Sequence, residues 1–187
     1  MQKRRAFLIF LLVAGAFAFS LPQFGRFFGF RSPWFALDVM LCFLGLVAMA
    51  RPFYLLPLPL SLQVLQAWET DGRLYRKLGV PQFGILLRRT PLRFLNREVY
   101  LAASDAARAA VPAQLETAEA AHWGAALLLL PYLLYLVKIN WWSALLGMVA
   151  VQVFGNVYPI LHLRWVRCRL ERVAVQRSRK WVPTGTR

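Results

Sequence analysis

The stretch His122–Leu163, "HWGAALLLLPYLLYLVKINWWSALLGMVAVQVFGNVYPILHL", decides the fold. Two apolar runs, 122–137 and 141–163, are parted only by Lys138, Ile139 and Asn140. A helix that crosses a bilayer needs roughly 20 largely apolar residues, within about 17 to 25. Both runs fit, and so short a joint makes them antiparallel neighbours. Two further runs, 6–21 and 33–50, resemble them. With 59% hydrophobic and 17% charged residues, the 187-residue chain departs from an ordinary soluble domain. The expectation is an all-α integral membrane protein, one membrane domain over 1–187, with four transmembrane helices and a basic interfacial cytoplasmic loop. The opening "MQKRRAFLIFLLVAGAFAFS" also has the layout of a signal peptide. A retained helix is the preferred reading, and cleavage would leave the other three spans oriented as before.

The net charge of +15 raises nucleic acid as a partner, and the placement of the charges argues against it. Lys3, Arg4 and Arg5, nine residues in the loop 51–121 and eight after residue 163 place 20 basic residues on one side. Arg26, Arg31 and Lys138 place 3 on the other. This is the positive-inside bias. It puts both termini and the loop 51–121 in the cytoplasm of a cell with this chain in its inner membrane, and it accounts for the charge without nucleic acid.

Within that loop, Pro52, Pro57 and Pro59 forbid a regular helix through "RPFYLLPLPLSLQVL". The segment 67–97 interleaves Trp68, Tyr75, Phe83 and Phe94 with basic residues, a composition that lies on anionic lipid head groups. "EVYLAASDAARAA" reads as a short helix that Pro112 ends, and Pro112 opens the next helix as a first-turn residue. The tail 164–187 is basic. Asp38 sits near the outer end of the second span, tolerated at an edge or paired with Arg31. Cys42 and Cys168 fall on separate segments and give no disulfide framework.

A polar ring stands at the cytoplasmic threshold of the hairpin. His122 and Asn156 each lie sixteen residues from the joint, about 24 Å along their helices at ~1.5 Å per residue. Glu119 precedes His122 by three residues and shares its face. Gln152, Asn156, Pro159 and Arg167 cluster on one side of the fourth helix, with Arg164 adjacent and His162 turned well away. Each has a plain alternative. Acids suit the first turns of a helix, and arginines halt translocation. Neither explains an acid, an imidazole and an amide at one depth, and ionisable groups inside a membrane are functional candidates.

The chemistry these groups offer is acyl transfer to an alcohol. His122 can take a hydroxyl proton near neutral pH. Glu119 can orient the ring and stabilise its cation. Asn156 or Arg164 can stabilise an oxyanion. Glu119-x-x-His122 is half of a di-iron bundle motif, which needs a second copy that the chain lacks. With two histidines in all, and no nucleophile elbow, P-loop or HExxH, neither metal nor cofactor is required.

Three ordered blocks between Trp68 and Leu170 carry a resemblance. They are "WETDGRLYRKLGVPQF", "EAAHW" and "NVYPILHLRWVRCRL". They resemble the glycosyl-diaponeurosporenoate acyltransferase family of staphyloxanthin-type carotenoid biosynthesis. The resemblance implies transfer of a fatty acyl group to a hydroxyl of a lipid-like, glycosylated carotenoid acceptor. It marks Glu69, Gly72, Tyr75, Gly79, Glu119, His122, Asn156, Pro159, Arg164, Arg167 and Arg169. Glu69, Tyr75, Arg167 and Arg169, with Arg76 beside Tyr75, are the expected substrate-binding residues. His122, Glu119, Asn156 and Arg164 are the expected catalytic ones. The family ending Gln-Arg-Tyr-Asn-Arg is replaced here by Leu163, Arg164, Trp165, Val166 and Arg167, which leaves open another acceptor. It also leaves open a non-catalytic membrane subunit that binds lipid or pigment, or packs in a larger complex.

Overall fold

The computed structural model describes residues 2–50, 59–90 and 105–180. All regular structure among them is helical. The helices are α1 (Gln2–Phe28), α2 (Pro33–Ala50), four short ones, α7 (Asp105–Lys138), α8 (Trp142–Gln152) and α9 (Tyr158–Lys180), with a π-helical turn at Val153–Val157 between the last two. The short helices are α3 (Leu60–Gln63), α4 (Ala67–Thr70), α5 (Arg73–Lys77) and α6 (Val80–Arg89). Three segments are long and apolar enough to cross a membrane: Phe7–Phe28, Val111–Lys138 and Trp142–Ala174. In α2 the apolar stretch is shorter, Pro33–Val47. Four equivalent spans were expected. Three of them are supported, and α2, an apolar helix of 18 residues, is the fourth candidate.

The chain divides into two compact units. The first comprises residues 1–58 and 117–160. Its core draws Phe35, Ala36, Val39 and Met40 from α2, Leu129 and Leu136 from α7, and Ala144 and Met148 from α8. The spacing of these positions is that of one helical face. Gly147 faces Pro33, where a Cβ would make ordinary van der Waals contact at 3.6 Å. Small residues at such contacts are the membrane substitute for a hydrophobic drive between helices. Outward faces carry large apolar side chains, among them Leu12, Phe19, Leu127, Leu134 and Leu146.

Local chemistry sets the element ends. Ser32 Oγ accepts from the N–H groups of Trp34 and Phe35, and Pro33 follows at the first helical position. At the close of α7, Asn140 adopts the left-handed conformation (φ 54°). Trp141 N then donates to Leu136 O at 3.0 Å and Asn140 N to Val137 O at 3.1 Å. These two bonds form a Schellman cap, and asparagine is one of the few residues that tolerates its αL position. Arg31 lies over the Trp141 ring at 4.3 Å. The three-residue joint is thus a capped turn.

The second unit comprises residues 59–116 and 161–187. Tyr75, Val80 and Cys168 form its buried centre, with Leu65, Leu161 and Trp165 packed around them. Two left-handed glycines, Gly72 (φ 67°) and Gly79 (φ 71°), separate α4, α5 and α6. Any other residue at these angles would be strained. Pro112 neither ends nor begins a helix: α7 runs through it from Asp105. Both cysteines are free and buried. Of the stretch 51–65, expected to be irregular, 51–58 lies outside the described residues, as do Arg93 and Arg97, and Leu60–Gln63 forms the short helix α3.

Candidate functional site

In the first unit, α7 and α8 bring together a chain of polar groups. Asn156 and Glu119 are fully buried, and His122 is half-buried. His122 Nδ1 and Asn156 Oδ1 are 3.2 Å apart. Asn156 Nδ2 donates to Gln152 Oε1 at 2.6 Å, and Gln152 Nε2 donates to the Ala126 carbonyl at 3.1 Å. An amide, rather than an acid, therefore meets Nδ1 of the ring. Glu119 stands one turn before His122 on α7.

The π turn at Val153–Val157 has a direct cause. Pro159 has no N–H and cannot donate to the carbonyl four residues back, which is that of Gly155. Its ring also crowds that carbonyl. The helix widens instead, and Tyr158 N reaches back five residues to Val153 O. The Gly155 carbonyl is thus denied the four-residue donor that a regular helix would supply. Pi turns recur at functional sites because they redirect side chains in this way. A regular 100° step through Gln152–Pro159 was expected from sequence, and the π turn replaces it. The Asn156-x-x-Pro159 spacing thus has a physical reading: the proline opens the turn on which the asparagine sits.

In the second unit, Glu69 is buried (1% exposed) and bound on both oxygens. Arg164 Nε lies 2.7 Å from Oε1 and Arg164 Nη2 lies 2.6 Å from Oε2. The Tyr75 hydroxyl donates to Oε1, and Gln66 N donates to Oε2 at 2.7 Å. Burial opposes the charged carboxylate. The hydrogen bonds from Arg164, Tyr75 and Gln66, with the arginine charge, outweigh it and hold the carboxyl at about 2. Burial and the adjacent carboxylate raise Tyr75 above the ordinary phenol value. Arg164 Nη1 meets the Leu62 carbonyl at 2.5 Å. Sequence reasoning expected Arg164 to serve an oxyanion. In this unit it donates to Glu69 and to the Leu62 and Val64 carbonyls.

Arg167 donates to the Gln63 carbonyl and lies 3.3 Å from Glu116. Arg169 is exposed, with its guanidinium 5.0 Å from the Trp165 ring centre. Arg76 is exposed and reaches the Asp71 carbonyl at 3.5 Å. His162 is buried between Phe83 and Trp165. Of the nine expected site residues, then, His122 meets Asn156 in one unit and Glu69 meets Tyr75 and Arg164 in the other. Sequence reasoning grouped Gln152 with Asn156 but gave it no role. The four-residue spacing of the two amides on one helix was the available signal.

Three long apolar helices among the described residues suggest a helical membrane protein, and within it a half-buried imidazole meets a buried amide. The family model for glycosyl-4,4'-diaponeurosporenoate acyltransferase matches residues 60–176, more than half of the chain. The chain belongs to this family, which supports an acyltransferase role in carotenoid biosynthesis. No curated protein and no solved structure matches it.

Proposed function

We propose that this protein is a membrane-embedded acyltransferase that moves a fatty acyl group from an activated donor to a hydroxyl of a glycosylated, lipid-like carotenoid. One observation carries the site assignment: the His122 Nδ1 contact with Asn156 Oδ1 in a member of this family. His122 takes the acceptor's hydroxyl proton. The oxygen attacks the acyl carbon, and the tetrahedral oxyanion collapses by breaking the bond to the donor's leaving group. The imidazolium returns its proton to that group. Glu119, buried one turn away, favours the transient cation. Asn156 orients the ring.

Glu69, Tyr75 and Arg164 act in this reading as a scaffold rather than as contacts to substrate. Exposed Arg73, Arg76, Lys77, Arg88, Arg89 and Arg169 meet anionic head groups. The arrangement is a single membrane domain of the inner membrane, with four passes and both termini cytoplasmic. The test is mass spectrometry of membrane carotenoids from cells making the protein, His122→Ala or Glu119→Gln. A fatty ester that appears with the natural protein and is lost with His122→Ala is expected. Full ester formation by His122→Ala removes the catalytic assignment, and no ester with any form favours the non-catalytic subunit.

A further inference from the structure

The polar chain of the first unit has a direction, and its far end sets it. The Ala126 carbonyl can only accept a hydrogen bond, so the Gln152 group 3.1 Å from it must be the amide NH2. The Gln152 oxygen then faces Asn156 and can only accept, so Asn156 presents its NH2 at 2.6 Å. The Asn156 oxygen is left for His122, 3.2 Å from Nδ1. An oxygen acceptor there requires the ring proton to sit on Nδ1. Turning either amide over would set two acceptors, or two donors, against each other at a neighbouring link. Asn156 has no exposed surface, so water cannot repair such a clash.

We infer that Gln152 is a positioning residue that fixes the tautomer of His122: anchored on the Ala126 carbonyl, it holds the neutral ring as Nδ1–H with its lone pair on Nε2. Gln152 touches neither the ring nor any reacting atom and acts wholly through Asn156. The consequence for catalysis rests on the acyltransferase reading, in which Nε2 is the nitrogen that takes the proton. Without Gln152, the Asn156 amide is free to turn and present its NH2 to Nδ1. The ring then carries its proton on Nε2, and the base faces the wrong way. A glutamic acid at 152, in its protonated form, still offers an oxygen to Asn156 Nδ2 and an O–H to the Ala126 carbonyl, and so preserves the direction.

The experiment is 15N NMR of the full-length protein in nanodiscs, labelled at histidine nitrogen. His122 signals are identified by their loss in His122→Gln. The unmodified protein is expected to show a protonated Nδ1 and an unprotonated Nε2. Gln152→Met is expected to move the proton to Nε2 in much of the population, and Gln152→Glu to retain the original pattern. In the carotenoid assay, Gln152→Met should lower kcat by about a hundredfold, the low end of what a positioned base contributes, with KM little changed. An Nε2–H ring in the unmodified protein overturns the inference even if Gln152→Met fails to fold. So does a Gln152→Met spectrum like that of the unmodified protein. Should the tautomer follow Gln152 while His122→Ala still forms ester, the inference stands and the acyltransferase site falls.

Discussion

Arg164 lays Nε and Nη2 against the two carboxylate oxygens of Glu69, at 2.7 and 2.6 Å, across ninety-five residues of sequence. Both side chains are nearly sealed from solvent, at 9% and 1% exposure. Two buried charges in this geometry are costly to separate, because the survivor keeps its desolvation penalty with no partner. Removing one partner of such a pair costs about 3–5 kcal/mol. Glu69→Gln and Arg164→Met should each destabilise the second unit by that order, read as a fall in chemical unfolding midpoint in detergent. Arg164→Lys should also destabilise, since an ammonium cannot reproduce the two-pronged contact. The double variant Glu69→Leu/Arg164→Met should recover much of the loss. A double variant as unstable as the sum of its parts would show that the pair is not coupled.

The same carboxylate gives a pH signature. Its folded value, about 2, lies below the usual value near 4.3 in an unfolded chain. The pairing therefore stabilises the fold fully above the unfolded value. That stability is lost as pH falls through the folded value. Thermal midpoints should drop between about pH 4.3 and pH 2 and level off below, whereas Glu69→Gln should lack that step. Tyr75 runs the opposite way. With its folded value raised, its contribution is whole below about pH 10 and is lost as the phenol finally ionises. Tyr75→Phe should remove that alkaline limb, and a limb that persists in Tyr75→Phe would belong to another group.

Gly84 and Gly155 offer a matched comparison of close approach. A Cβ at Gly84 would lie 2.6 Å from His162 Cε1, and His162 is a rigid ring with 4% exposure. A Cβ at Gly155 would lie 2.7 Å from the Met40 methyl, the far end of a flexible side chain. Overpacking against a fixed neighbour costs about 1–3 kcal/mol, whereas methionine yields more readily. Gly84→Ala should therefore destabilise more than Gly155→Ala, and His162→Ala should rescue Gly84→Ala by making room. Equal losses in the two alanine variants would contradict this reading of the contacts.

What the sequence makes legible divides along physical lines. The hairpin of 122–163 follows from apolar run length and a three-residue joint, because those are local quantities. The level of His122 and Asn156 follows from counting along two helices of fixed rise. The partner of Glu69 does not, since no local period links residue 69 to residue 164. Its enclosure by Gln66, Tyr75 and Arg164 is a tertiary result, with Gly72 turning the chain between Glu69 and Tyr75. Pro112 misleads for a related reason: a proline tolerated in a first turn is read as a boundary, yet α7 runs straight through it. The π turn was hidden by the assumption of a uniform helical step, although Pro159 and the carbonyl it cannot bond stand in plain view.

That turn supplies the last prediction. Pro159→Ala gives residue 159 an N–H able to bond to the Gly155 carbonyl, which restores the ordinary four-residue spacing. Closing the turn redirects Asn156, leaving Gln152 on the regular helix before it. The helix itself gains a hydrogen bond and loses a proline, so thermal stability should hold or rise. Ester formation should nevertheless fall by about a hundredfold, the scale of a displacement near 1 Å in a positioned group. Thermal unfolding, helix content by circular dichroism and the carotenoid assay read these quantities separately. A stable Pro159→Ala protein with full activity would show that the π turn is incidental to the chemistry. A stable protein with the activity lost would place the Asn156-x-x-Pro159 spacing in the orientation of the base rather than in the strength of the fold.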